Sequence, residues 1–139
     1  MVVDASVAVK WLFPESGSQA AQSLLTHSDQ LSAPALVRIE VYAAITRKVR
    51  LGEIASEEAH KACELWAGAV EKGVLALVAD EEILPAAVDL ALKLGHPLQD
   101  CLYLALAERE QAVLITADPK FQARAQAAYA SVELLAGVA

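Results

Sequence analysis

Apolar residues in this chain follow two rhythms, short unbroken runs and longer stretches in which they recur every three or four positions. The short runs predict buried strands at residues 1–3, 74–78, 112–115 and 132–135. The longer stretches predict helices. One runs through Val7, Val9, Trp11 and Leu12 until Pro14 and Gly17 interrupt it, and a second runs from Ala20 to Thr26. Leu31-Ser32-Ala33-Pro34 then leads into a long helix over 35–50, closed by Gly52. Ser56 with Glu57 and Glu58 opens a helix to about residue 71, residues 81–94 form another that ends at Gly95, and Pro97 starts one through Leu98 to Gln111. A last helix spans residue 120 to about 128. Strands and helices alternate, so the expected class is α/β, with a short, mainly parallel sheet covered by helices. One domain over 1–135 with a C-terminal tail at 136–139 accounts for the chain, which carries no repeat, low-complexity tract or linker.

Composition changes this picture in two places. Hydrophobic residues make up 56% of the 139 positions and mean hydropathy is +0.39, high enough to suggest that another subunit or a partner covers some apolar surface. No apolar run approaches the roughly 18 residues that span a bilayer, and MVVDAS lacks the basic start of a signal peptide, so a cytoplasmic protein without a membrane partner is expected. Cys63 and Cys101 show no CxxC spacing and read as small core residues.

The net charge of −7 at first opposes a nucleic-acid partner. Four of the acids are unusual, however. Asp4, Glu40, Asp100 and Asp118 sit beside apolar segments, where a carboxylate must be protonated, hydrogen-bonded, paired or bound to a metal. Setting these four aside leaves the rest only mildly acidic, and two divalent ions would offset them. Arg38, Arg47, Lys48 and Arg50 gather on the predicted long helix; they read equally as a phosphate-backbone contact or a solvated face.

Ligands of open α/β sheets collect at the carboxyl ends of strands, and Asp4 and Asp118 each follow a predicted strand. Asp100 falls in the first turn of its helix, and Glu40 in mid-helix among Leu36, Val37, Ala43 and Ala44. Each has a structural alternative. Asp118 before Pro119 is a good helix cap, Asp4 with Ser6 suits an Asx turn, Asp100 gains from the helix dipole, and Glu40 is within reach of Arg47. Ser6 and Thr116 each lie two residues from an acid; they suit either orientation of a carboxylate or routine turn bonding. His27, His60 and His96 share no metal-ligand spacing, and Trp11, Trp66 and Tyr103 suit core or interface positions better than base stacking.

Taken together, Asp4-Ala5-Ser6, Glu40, the run from Asp100 to Ala107, and Thr116-Ala117-Asp118-Pro119-Lys120-Phe121 resemble the PIN-domain family, and within it the VapC-type toxins. The resemblance implies a PIN-like α/β/α sandwich and an endoribonuclease whose Asp4, Glu40, Asp100 and Asp118 bind one or two Mg²⁺ or Mn²⁺ ions. Asp4 and Asp100 would be the principal ligands, with Ser6 and Thr116 behind them. It also implies a structured RNA substrate such as transfer RNA or a ribosomal RNA loop, a cognate antitoxin and a homodimer. Cys101 stands where the family often has a smaller residue. A catalytically silent PIN-fold binding module and a DNA-directed nuclease are the alternatives. A nucleotide-binding or phosphoacceptor domain fits poorly, since GxGxxG and GxxxxGK[ST] are absent and Asp4 lacks an adjacent acid.

Overall fold

A computed structural model of the chain describes residues 1–26 and 30–137. His27 and residues 138–139 of the expected tail lie outside the described residues. In order, the elements are β1 (Val2–Val3), α1 (Ala5–Ala8) continued by a 3₁₀ turn (Val9–Trp11), α2 (Ser18–Leu24), β2 (Ser32–Pro34), α3 (Val37–Arg50), α4 (Ser56–Glu71), β3 (Ala76–Val78), α5 (Asp80–Leu94), α6 (Leu98–Glu110), β4 (Leu114–Thr116), α7 (Pro119–Gln126) and β5 (Val132–Leu134).

The strands form one sheet in the order β3-β2-β1-β4-β5, and every pair is parallel. Helices flank it, giving an α/β/α sandwich. Parallel neighbours need crossover connections, and here successive helices supply them. The chain steps from β1 outward through β2 to β3, then returns across the sheet to β4 on the other side of β1. The winding direction therefore reverses between β1 and β4, and such a reversal opens a crevice beyond the carboxyl ends of those two strands. Asp4 leaves β1 at that crevice, while Thr116 ends β4 with Asp118 two residues on.

The core is built around α6. Every residue from Cys101 to Ala107 is buried, so the middle of this helix is enclosed on all sides, held between α5 and strands β1, β2 and β4. Gly95 ends α5 at φ 60° and Gln111 ends α6 at φ 53°, left-handed positions natural to glycine but strained for glutamine. Among the described residues no helix is long and apolar enough to cross a membrane.

Two expectations from the periodicity are corrected. Ser32-Ala33-Pro34 is not a connection but the interior strand β2, paired with β1 and β3. Its run is three residues long and holds two poor strand formers, so no apolar pattern marked it. The long helix begins at Val37 rather than residue 35, which puts Glu40 in its first turn and not in mid-helix. The remaining elements differ from expectation only at their ends, as helix and strand boundaries do.

Candidate functional site

Asp4 caps α1: its Oδ1 accepts the backbone N–H of Val7 at 3.3 Å. The Ser6 hydroxyl donates to the same oxygen and the Thr116 hydroxyl to Oδ2, each at 2.5 Å. Ser6 Oγ in turn accepts the N–H of Ala117 at 2.9 Å, and Thr116 Oγ1 accepts that of Asp118 at 3.1 Å. These bonds tie the ends of β1 and β4 together. Asp4 is only 6% exposed, and burial pushes its carboxyl up to about 6; the hydroxyls and the Val7 amide pull the other way, and the charge of Asp100 adds to the rise.

Glu40 accepts the phenolic hydroxyl of Tyr103 at 2.5 Å. Its carboxyl lies above the ordinary range because of burial, offset in part by the Tyr103 bond and reinforced by repulsion from Asp100 and Asp80. Tyr103 is itself buried, and burial together with Glu40, Asp4 and Asp100 holds its hydroxyl firmly protonated. Asp100 lies 2.7 Å from His96 Nε2, and the His96 ring stacks on Phe121 at 5.1 Å between centroids with 19° between planes. The charge of Asp100 thus acts on both Asp4 and Glu40, and Tyr103 feels all three acids.

Asp118 stands differently. Its Oδ1 accepts the N–H groups of Lys120 at 2.9 Å and Phe121 at 3.2 Å, the helix cap that its sequence position suggested. It lies at the same sheet edge, but one oxygen is committed to α7. Among the described residues, no group of three or more His, Cys, Asp or Glu side chains stands in position to hold a metal ion. The donors still suit a hard cation. All are oxygens, no Lys or Arg among the described residues pairs with any of the four acids, and Mg²⁺ takes only one or two direct carboxylates and keeps several waters. The residues fit a hydrated divalent ion, not an all-protein cage.

Periodicity missed three neighbours of this centre. Tyr103 was assigned to the core, where its ring does lie, yet a buried phenol needs a hydrogen-bond partner, and that requirement was the available signal. His96 lies in the short connection between α5 and α6, four residues before Asp100, and the first turn of α6 brings the two together. Asp80, the first residue of α5, accepts the N–H of Leu36 at 3.1 Å and so anchors the start of α3 beside Glu40.

The four basic candidates share α3 but not a face. At about 100° per residue, Arg47 falls within about 20° of Glu40, Lys48 and Arg50 lie about 80° to either side of it, and Arg38 falls nearly opposite. Arg38, Arg47 and Arg50 are exposed, while Lys48 is partly buried. Proximity in sequence therefore overstated their clustering.

The match to the PIN domain model covers residues 1–127, and the chain belongs to the PIN-domain family. Ribonuclease VapC3 of Pyrobaculum aerophilum is 32% identical to it over 119 residues, 85% of this chain and 88% of that protein. The crystal structure of PAE2754 from Pyrobaculum aerophilum superposes with a TM-score of 0.67 at 21% identity, covering 88% of this chain and 77% of that one. A toxin-antitoxin complex from Klebsiella pneumoniae gives a TM-score of 0.60 at 15% identity over 95% and 94% of the two chains. At those identities the two structures bear on the fold alone.

Proposed function

We propose that this protein is a metal-dependent endoribonuclease and the toxin of a toxin-antitoxin pair, acting on a structured RNA such as transfer RNA or a ribosomal RNA loop. The observation that carries the reading is the grouping of Asp4, Glu40 and Asp100 at the β1/β4 crevice, where burial pushes the carboxyl of Asp4 up to about 6 and no Lys or Arg among the described residues pairs with it. Mutually repelling carboxylates at a cleft are costly to folding and are explained by a cation that joins them. The 32% identity to a protein named a ribonuclease supports the choice of RNA.

In this reading Asp4 and Asp100 bind one or two Mg²⁺ or Mn²⁺ ions directly, and Glu40 and Asp118 act through water or on a second ion. A divalent ion, when bound, supplies Lewis-acid activation of water and charge neutralisation at phosphorus. Ser6 and Thr116 hold the Asp4 carboxylate in one orientation, Tyr103 does so for Glu40, and His96 for Asp100. Exposed apolar side chains, among them Ile39, Leu65 and Leu92 at 65%, 64% and 79% exposure, support a homodimer and an antitoxin as covering partners.

A second reading has one observation in its favour. The cap made by Asp118 and the absence of a three-ligand group among the described residues suit a catalytically silent PIN-fold module. Incubating the protein and its Glu40→Gln variant with total small RNA, in Mn²⁺ or EDTA, and sequencing the new 5′ ends separates the two. Discrete cuts that vanish in EDTA and in the variant are expected; metal binding without any cut would favour the silent module, and cuts that persist in the variant would refute this site.

A further inference from the structure

Next to the carboxylate centre is a cavity of about 280 Å³ whose walls include Ser6, Lys10, Glu15, Ala44, Lys48 and Ala117. Ser6 and Ala117 also belong to the hydrogen-bond chain that holds Asp4, so the cavity and the acids share a wall. Lys10 comes from the 3₁₀ turn after α1 and Lys48 from the last turn of α3, at the far end of the four-residue stripe through Glu40 and Ala44, which winds it about 80° round the helix from Glu40. Eight residues at ~1.5 Å rise put the Lys48 backbone about 12 Å along α3 from that of Glu40.

Both lysines are well covered, with side chains only 12% and 19% exposed. Their ammonium groups converge on the two oxygens of Glu15, Lys10 at 3.2 Å and Lys48 at 2.9 Å. Lys10 also donates to the carbonyl of Ser16 at 2.6 Å, and Lys48 lies over the Phe13 ring at 5.1 Å, with Glu53 3.6 Å away at the rim. Burial would raise the Glu15 carboxyl, but its bonds to Lys48 and Lys10 outweigh that and hold it below the usual range. An ammonium has three N–H groups; Lys10 commits one to Glu15 and one to the Ser16 carbonyl, and Lys48 one to Glu15, so each retains at least one. Glu15 and Glu53 balance the two ammonium charges, so what the cavity offers an anion is the uncommitted N–H groups of two well-covered lysines on one wall, not a surplus of positive charge.

We propose that this cavity seats a backbone phosphate of the RNA strand lying in the carboxylate centre, gripped by Lys10 and Lys48, with Glu15 as the bridge that holds the two ammonium groups together on one wall. The inference rests on the nuclease reading and adds to it a fixed register: acids at one end of the α3 stripe and a cationic seat at the other define where the strand enters.

The test measures binding of fluorescein-labelled bulk transfer RNA by anisotropy in EDTA across a KCl series. The proteins compared are the wild type, the Lys10→Met/Lys48→Met double variant, and a charge-matched Lys61→Met/Lys72→Met control on the exposed face and end of α4. Methionine keeps the aliphatic stems packed, and each single variant retains one ion pair to Glu15 should the double variant melt below the assay temperature. Losing one phosphate contact reduces the slope of log K against log salt by about 0.7 to 1. The site variant is therefore expected to show that loss and roughly tenfold weaker binding at low salt, and in Mn²⁺ a KM raised more than kcat is lowered. A DNA strand and an RNA strand of one sequence should lose affinity alike, since the seat reads phosphate and not the 2′-hydroxyl. If the site variant matches the control while the wild type cuts RNA in Mn²⁺, the phosphate seat is refuted and the nuclease reading stands. A wild type that neither binds in EDTA nor cuts in Mn²⁺ overturns both.

Discussion

Replacing Asp4 by Asn should make the metal-free protein more stable at neutral pH, although it removes a member of the candidate centre. The Asp4 carboxyl sits at about 6 in the folded protein against an ordinary 3.8, chiefly because it is buried, with the charge of Asp100 adding to the effect. Between those values the folded state holds a proton that the unfolded chain has released. Stability linked to this group is therefore greatest below about pH 4, is lost as pH rises through about 6, and is level above that. At ~1.36 kcal/mol per pK unit the loss amounts to about 3 kcal/mol. Asparagine escapes that loss, but its NH₂ cannot accept, so one of the two hydroxyl bonds from Ser6 and Thr116 must reverse and the other loses its charge assistance, at a cost of about 1 kcal/mol. The net gain at pH 8 is about 2 kcal/mol, or about 6 °C in Tm for a domain of this size. Thermal and urea unfolding of both proteins in EDTA from pH 4 to 8 would measure it. The difference should grow from nothing, or slightly negative, at pH 4 to its full value by pH 7, and Mn²⁺ should restore the wild type but not the variant. A difference that stays constant across that range, or a wild type that is the more stable at pH 8, would refute the reasoning.

Three further outcomes are expected. Tyr103→Phe removes the hydrogen bond that holds the Glu40 carboxyl down, so the acid limb of the kcat/KM profile for RNA cleavage should move to higher pH, with about 1 kcal/mol lost from stability; an unmoved limb would mean that Glu40 does not govern it. Leu104→Ala empties a fully buried position in α6 and should cost about 3 kcal/mol in urea unfolding. Gln111→Gly relieves the left-handed strain at the end of α6 and should raise stability by roughly 0.5 to 1 kcal/mol, net of the entropy that glycine brings; a lower Tm would show that the Gln111 side chain matters more than its backbone.

The strand-ending acids were readable because local chemistry marks them. Asp4 and Asp118 follow short apolar runs, and their capping geometry is set by residues two or three positions away. Asp100 was readable for a similar reason, as an acid in a first helical turn immediately before the apolar run Cys101–Ala107. What stayed hidden lies in tertiary pairing. Lys48 meets Glu15 across 33 residues and Tyr103 meets Glu40 across 63, and no periodicity encodes such encounters. Strand β2 was hidden for another reason: the hydroxyl of its buried Ser32 bonds to Glu110 at 2.9 Å, so the polar residue that broke the apolar pattern is satisfied only once α6 has docked.

The burial of α6 on all sides also bears on how this protein can change. Asp100 and Tyr103 ride on the same helix that fills the centre of the core, so the acid and the phenol move only if the packing around them moves. A loop-borne site can be retuned by sequence drift at little risk to folding. Here a substitution that shifts the helix by a fraction of an ångström displaces the chemistry and loosens the fold together. Variation in substrate choice should therefore accumulate on the exposed positions of α3 and of the segment after α1, away from Glu40, while the central helix changes slowly or not at all.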